Sequence, residues 1–314
     1  MSRFLLVFGV ILSQVLAGCG SGARVQHLAT VDEIPTPPVM LAVHTVFLIV
    51  MENHNWADVK GSRSAPYINR TLLPRASHAE QYYNPPGNHP SLPNYLWLEA
   101  GTSFGIGDDR LPSSGQQETR RHLTTLLNRA GISWRAYEEG ISGSECPLVT
   151  RGLYAPRHNP FVYFRDVSSN EAYCLKHERP YSELARDLAR NTVARYNFIT
   201  PDVCHDMHDS CPPSYDRIRQ GDSWLAHEVP RILRSRAYRN GGALFITWDE
   251  GEGSDGPIGL IVLSPLAKGH GYADTRRYTH SALLRSLQEI FRVRPFLGDA
   301  AHSPDLRTLF KKGS

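Results

Sequence analysis

The sequence predicts an α/β protein, a three-layer α/β/α sandwich around a mostly parallel central sheet. Three observations predict it. Short apolar runs without polar alternation, Val46 to Val50 first among them, suit strands buried on both faces of a sheet. These runs alternate with segments of helical period, the order that builds layered α/β domains. Several runs also stop abruptly at polar, ligand-capable side chains, and parallel sheets carry their sites at the carboxyl ends of the strands.

At 314 residues, 41% hydrophobic and 21% charged, the composition is that of a globular protein with a large core. A net charge of +3, with no Lys/Arg block interleaved with aromatics, excludes nucleic acid as a partner.

The opening MSRFLLVFGVILSQVLAGCG has one positive charge, an apolar core too short to span a bilayer, then Leu16, Ala17 and Gly18 before Cys19. It resembles a bacterial lipoprotein signal. That resemblance implies a signal peptide over 1–18, a lipid anchor on Cys19 and a linker over 19–43 that contains Pro35, Pro37 and Pro38. An ordinary secretory signal is the other reading. Either exports the chain; the first ties it to a bacterial membrane, facing the periplasm or the cell exterior. Export makes the other four cysteines readable as two disulfides. Of three possible pairings, Cys204–Cys211 with Cys146–Cys174 is preferred, because the first two are close and flank a polar loop.

A single domain is expected over 44–314. After the strand of Val46 to Val50, a short helix is expected over 67–78 and a helix start at Ser91, behind Pro90. Leu123, Leu126 and Leu127 give a helix over 118–129, ended by Gly131. A strand at 132–137, a loop-rich stretch at 140–180, a helix at 181–190 and a strand at 194–200 follow. Next come a helix at 222–238 and strands at 243–247 and 258–263, the latter read as the last. The chain closes on an amphipathic helix over 279–292, with Thr279 as N-cap and Leu283, Leu284, Leu287 and Ile290 on one face.

The polar residues at these strand ends are Glu52 and Asn53, then Asp202, His205, Asp206 and His208, then Asp249 and Glu250, with His280 at a helix start. Oxygen-rich sets bind hard divalent cations, and imidazoles extend the choice toward zinc or manganese. Any one of these residues alone is more often a cap or a solvated loop side chain. Three strands ending this way argue for a metal. A metal beside a hydroxyl suggests phosphoryl transfer, with Ser91 as the nucleophile at a helix amino terminus whose N–H groups face an anion. Alone, a serine there is more often only an N-cap.

MENHNW, NHPSLPNY, TPDVCHDMHD, TWDEGEG and YTHSALLRSLQEIF, in that order, resemble the phosphoesterase family of bacterial and fungal acid phosphatases and phospholipases C, within the alkaline-phosphatase superfamily. The resemblance spans residues 43–310 and implies an alkaline-phosphatase-like fold. It implies that Glu52, Asn53, Asp249 and Glu250 bind a divalent ion (zinc, calcium, magnesium or manganese) together with Ser91, the nucleophile. Asn94 matches a donor to a phosphate oxygen, and His89 reaches the same pocket. His205 and His208 are phosphate-binding or proton-transferring groups, with Asp206 as an orienter or extra ligand. His280 and His158 face the site.

His54 and His270 are read as structural, and Trp56, Trp97 and Trp248 as walls. GEGSDG satisfies a dinucleotide pattern but runs into a strand, not a helix, so no nucleotide cofactor is expected. The implied activity is metal-dependent hydrolysis of phosphate monoesters through a phosphoserine. The alternatives are a phospholipase C acting on phospholipids and a silent surface lipoprotein used as a binding module.

Overall fold

The computed structural model describes residues 39–253 and 255–312. The expected signal peptide, Cys19 and the first part of the linker lie outside the described residues. The 19–43 linker is too long by a few residues: Val39–Ala42 forms a 3₁₀ turn whose Met40 is fully buried in the core. The described residues all fall within one compact unit.

In chain order the strands are β1 Thr45–Met51, β2 Ser77–Tyr83, β3 Trp134–Glu138, β4 Glu178–Pro180, β5 Tyr196–Thr200, β6 Gly242–Trp248, β7 Leu260–Leu263 and β8 Tyr272–Thr279. They form one sheet in the order β4-β3-β5-β1-β6-β7-β2-β8. Every pairing is parallel except the two that β7 makes. Seven strands therefore end at the same edge.

β1 lies mid-sheet and is buried from Val46 to Met51, as its unbroken apolar run requires. Its register runs from Thr45 opposite Gly242 to Met51 opposite Trp248, so residues 52–53 and 249–250 leave the sheet side by side. On its other flank, Ile49 faces Ile199, which brings the loop after β5 to the same tip. The helices Ser91–Ala100, Leu123–Arg129 and His280–Phe291 pack together as one layer. Leu184–Arg190 and Arg217–Arg234 form the other. Both expected disulfides, Cys146–Cys174 and Cys204–Cys211, are present.

Several expectations need correction. The stretch 67–78 is a π-helical turn at Ile68–Leu72 followed by the start of β2. β7 is antiparallel and is not the last strand, since β8 follows it. β2 and β8 lack apolar runs, and half of β8 is exposed because it forms the sheet's edge. The helix at 118–129 begins only at Leu123, because Gln117 bridges Phe164 instead. The helix at 222–238 begins earlier, at Arg217, where Asp216 caps the Arg219 N–H; it breaks at Ser235, which caps the separate turn Arg236–Arg239. Thr279 stands at the N-cap position of His280–Phe291 without a capping hydrogen bond, while Leu283, Leu284, Leu287 and Ile290 are buried as their spacing requires.

Candidate active site

The tip of β1 delivers Glu52 fully buried. Its Oε2 accepts from the Ser91 hydroxyl at 3.0 Å, and its Oε1 accepts from the Tyr95 hydroxyl at 2.6 Å. Asn53 follows with φ of +23°, a conformation that asparagine tolerates better than most residues and that turns the chain toward β6. Its N–H donates to Asp249 Oδ1 at 3.2 Å, and its Nδ2 to Glu250 Oε1 at 3.1 Å. Its own Oδ1 is left without a partner, as is Asp249 Oδ2.

Ser91 is the first residue of its helix, with Pro90 at the N-cap position. One expectation fails here. The N–H of Leu92 is not free for an anion, because Asp109 Oδ1 accepts from it at 2.9 Å, and Pro93 has no N–H to offer. Asn94 donates to Glu250 Oε2 at 3.0 Å and to the carbonyls of Asn88 and Pro90, so its amide is already engaged. His89 joins Glu250 Oε2 through Nδ1 and Asp255 through Nε2.

The loop after β5 contributes Asp206, fully buried, whose carbonyl accepts from the Glu52 N–H at 2.7 Å. His158 bridges the two acids: Nδ1 lies 3.1 Å from Asp206 Oδ2, and Nε2 lies 3.4 Å from Glu52 Oε1 with no hydrogen bond of its own. Its ring stacks on Tyr95. His208 donates its backbone N–H to Asp206 Oδ1, and its Nε2 lies 3.3 Å from the Arg157 guanidinium. Arg157 also approaches Asp109 at 3.6 Å.

Not every expected residue converges on Ser91. His205 turns away to Glu139 Oε2 at 3.0 Å and to Asp202, a separate cluster. His280 is fully buried, with Nε2 on the Asp249 carbonyl and Nδ1 on the Tyr82 hydroxyl. One nitrogen holds the end of β6 and the other β2, and burial pushes its pKa down to about 4. His54 Nδ1 bonds the Glu52 carbonyl. Trp56 packs on Trp248, and Trp97 donates to Ser281.

Burial, then the neighbouring carboxylates, holds Glu52 well above the usual carboxylate range. Burial raises Asp206 and Asp249 as well, and burial together with Asp249 and Asp109 raises Glu250. Among the described residues, no Lys or Arg pairs with any of the four; Glu52 and Asp206 face His158, and Glu250 faces His89. Burial also pushes the pKa of His158 well down, so it supplies no charge.

Such a set is stable as anions only around a cation. The unpartnered Asn53 Oδ1 and Asp249 Oδ2 are oxygen donors of the kind that divalent ions take, whereas Asp206 Oδ2 faces His158 Nδ1. The residues therefore fit a metal at Glu52, Asn53, Ser91 and Asp249. Glu52, His158 and His208 offer a second group, with donor atoms within 4.8 Å of one another.

The fold places the chain among known structures. A protein of the alkaline phosphatase superfamily from Vibrio parahaemolyticus superposes with a TM-score of 0.58 at 10% identity, over 84% of this chain and 69% of that one. The phosphonate monoester hydrolase of Agrobacterium radiobacter gives 0.57 at 13%, over 86% and 77%. At these identities the likeness is one of fold, that of the alkaline phosphatase superfamily. A profile of the Phosphoesterase family matches residues 79–294, and the chain belongs to that family.

The phosphatidylinositol-3-phosphatase of Mycobacterium tuberculosis is 28% identical over 309 residues, 98% of this chain and 94% of the relative. The phosphate-repressible acid phosphatase of Penicillium chrysogenum is 27% identical over 212 residues, 64% of this chain and 48% of the relative, so the chain spans about half of that protein's length. The protein is a phosphoric ester hydrolase.

Sequence reasoning missed Tyr95, Asp109, Arg157 and Glu139. Tyr95 closes the NHPSLPNY motif and Arg157 adjoins His158, so proximity could have flagged both. Asp109 has no sequence signal, since only the fold brings its loop over Ser91.

Proposed function

We propose that the protein is a metal-dependent phosphomonoesterase with Ser91 as its nucleophile. One observation carries this reading: the Ser91 hydroxyl rests on Glu52 at the rim where Asn53 and Asp249 leave oxygen donors without partners. A divalent ion bound there supplies positive charge that lowers the hydroxyl's pKa and shields the phosphate oxygens.

The chain's own residues do the rest. Ser91 Oγ attacks phosphorus as its proton passes to Glu52, whose hydrogen bond with the hydroxyl is already made. Arg157 holds the non-bridging oxygens, displacing Asp109 from its side. His208, partly open to solvent, gives a proton to the leaving oxygen as the ester bond breaks. Water then cleaves the phosphoserine, with His208 as base. Asn94 and His89 keep Glu250 in place, and His158 separates Glu52 from Asp206.

Substrate choice follows from charge and likeness. A monoester brings a phosphoryl group with an extra anionic oxygen for Arg157, and the relative covered almost end to end is by name a phosphatase. The test is p-nitrophenyl phosphate turnover against phosphatidylcholine cleavage, by the native chain and by Ser91→Ala. We expect monoester turnover that vanishes in a folded Ser91→Ala protein. Retained turnover would remove Ser91, and a preference for the lipid would make the protein a phospholipase C.

A further inference from the structure

The modest net charge hides a separation of charge between the two ends of the sheet. At the carboxyl edge, the segments 52–55, 201–216 and 249–258 contain nine Asp or Glu and no Lys or Arg, and the cations that reach them are few, Arg217 on Glu252 and Arg157 beside His208. At the amino edge, the segments 39–44, 73–76, 129–133, 188–195, 229–241, 264–271 and 309–312 contain eleven Lys or Arg and no Asp or Glu.

These amino-edge segments adjoin one another. His44 N–H donates to the Gly241 carbonyl, the Arg195 side chain to the His44 carbonyl, the Arg195 N–H to Ser133, and the Lys311 N–H to the Leu266 carbonyl. Arg234, Arg236 and Arg239, together with Leu188, Ala189 and an Arg231 that is paired with Glu228, line a hollow of about 390 Å³ between the ends of two helices. The first three, with Arg195 and Lys311, are exposed, and among the described residues none has a carboxylate partner.

Uncompensated guanidinium groups spread over a broad edge fit an extended polyanion better than a single small anion. The chain also enters the domain here, since Val39–Ala42 leads directly into the amino end of β1. The sequence before it carries the apolar run and Cys19 that read as a membrane anchor. We propose that the amino edge of the sheet docks on an anionic phospholipid bilayer. Because the strands run from this edge to the opposite one, docking here turns the active site away from the bilayer, open to phosphate esters in solution. The docking is independent of the Ser91 chemistry and would survive its failure, whereas the outward-facing site rests on the monoester reading above.

The test uses the chain from Gly20 onward, which lacks both leader and anchor, so that binding reads the folded domain. It is sedimented with vesicles of phosphatidylcholine alone, or with about 30% phosphatidylglycerol, in low salt and in ~0.5 M salt. Partitioning onto the anionic vesicles should exceed that onto neutral ones by about tenfold and vanish in high salt. Reversing Arg234, Arg236 and Arg239 together to Glu should abolish it, with thermal melting showing that the variant is folded; Arg→Lys at the same positions should preserve it. If the reversal unfolds the protein, Arg→Gln at these sites takes its place. Equal binding to neutral vesicles, binding unchanged in the folded variant, or binding to heparin but to neither vesicle would overturn the proposal.

Discussion

Ser91 sits among acids, and its substrate is an anion. Without a counter-charge, a phosphate approaching Glu52, Asp206, Asp249 and Glu250 is repelled, so each cation at the rim matters. Arg157 is placed to serve, lying between His208 and Asp109 and partly exposed. Asp109 holds the Leu92 N–H and also stands beside this guanidinium, so a phosphate competes with Asp109 for Arg157. Replacing Arg157 by Gln should raise KM for p-nitrophenyl phosphate about tenfold, the scale of one charge-assisted contact, with a smaller change in kcat. Steady-state kinetics check this, and an unchanged KM would remove Arg157 from binding.

Elements differ in how openly the sequence announces them, and burial explains the difference. β1 and β6 are covered on both faces, so they had to be written as apolar runs, and the polar residues that end them stand out as Glu52, Asn53, Asp249 and Glu250. β2 carries polar side chains and β8 exposed ones, and no period betrays them. Ser91 stands in the sequence as a serine at a Pro-flanked helix start, alone more often an N-cap, and only the fold shows its hydroxyl resting on Glu52. His205 and His280 were legible as polar but not as to direction, since side-chain orientation is set by tertiary partners such as Glu139 and Tyr82.

The loop between β5 and the helix Arg217–Arg234 is closed by Cys204–Cys211, and it carries Asp206 and His208. Replacing that pair by alanines should cost about 2.5 kcal/mol of stability and lower kcat/KM as well. Removing Cys146–Cys174, which closes a longer loop, should cost about 3.5 kcal/mol and leave turnover of the folded fraction near normal. Denaturant melts with parallel assays separate the two effects.

For the whole molecule, the buried carboxylates tie stability to the metal and to pH. In the metal-free protein Glu52, Asp206 and Asp249 have folded-state pKa values raised by burial, Asp249 to about 7. An acid with a raised folded pKa binds more protons folded than unfolded, so its protonation favours the native state. The contribution of these acids to the stability of the metal-free protein should therefore be largest in acid and shrink as pH climbs from ordinary carboxylate values, near 4, through about 7, where Asp249 would ionise when folded. A divalent ion reverses this, because it binds the ionised carboxylates and competes with their protons. Thermal melts with and without chelator across pH 4 to 8 read the prediction: the two curves should diverge as pH rises, and hydrolysis should fall with the chelated branch. A melting temperature independent of both chelator and pH would show that these acids are not a cation site.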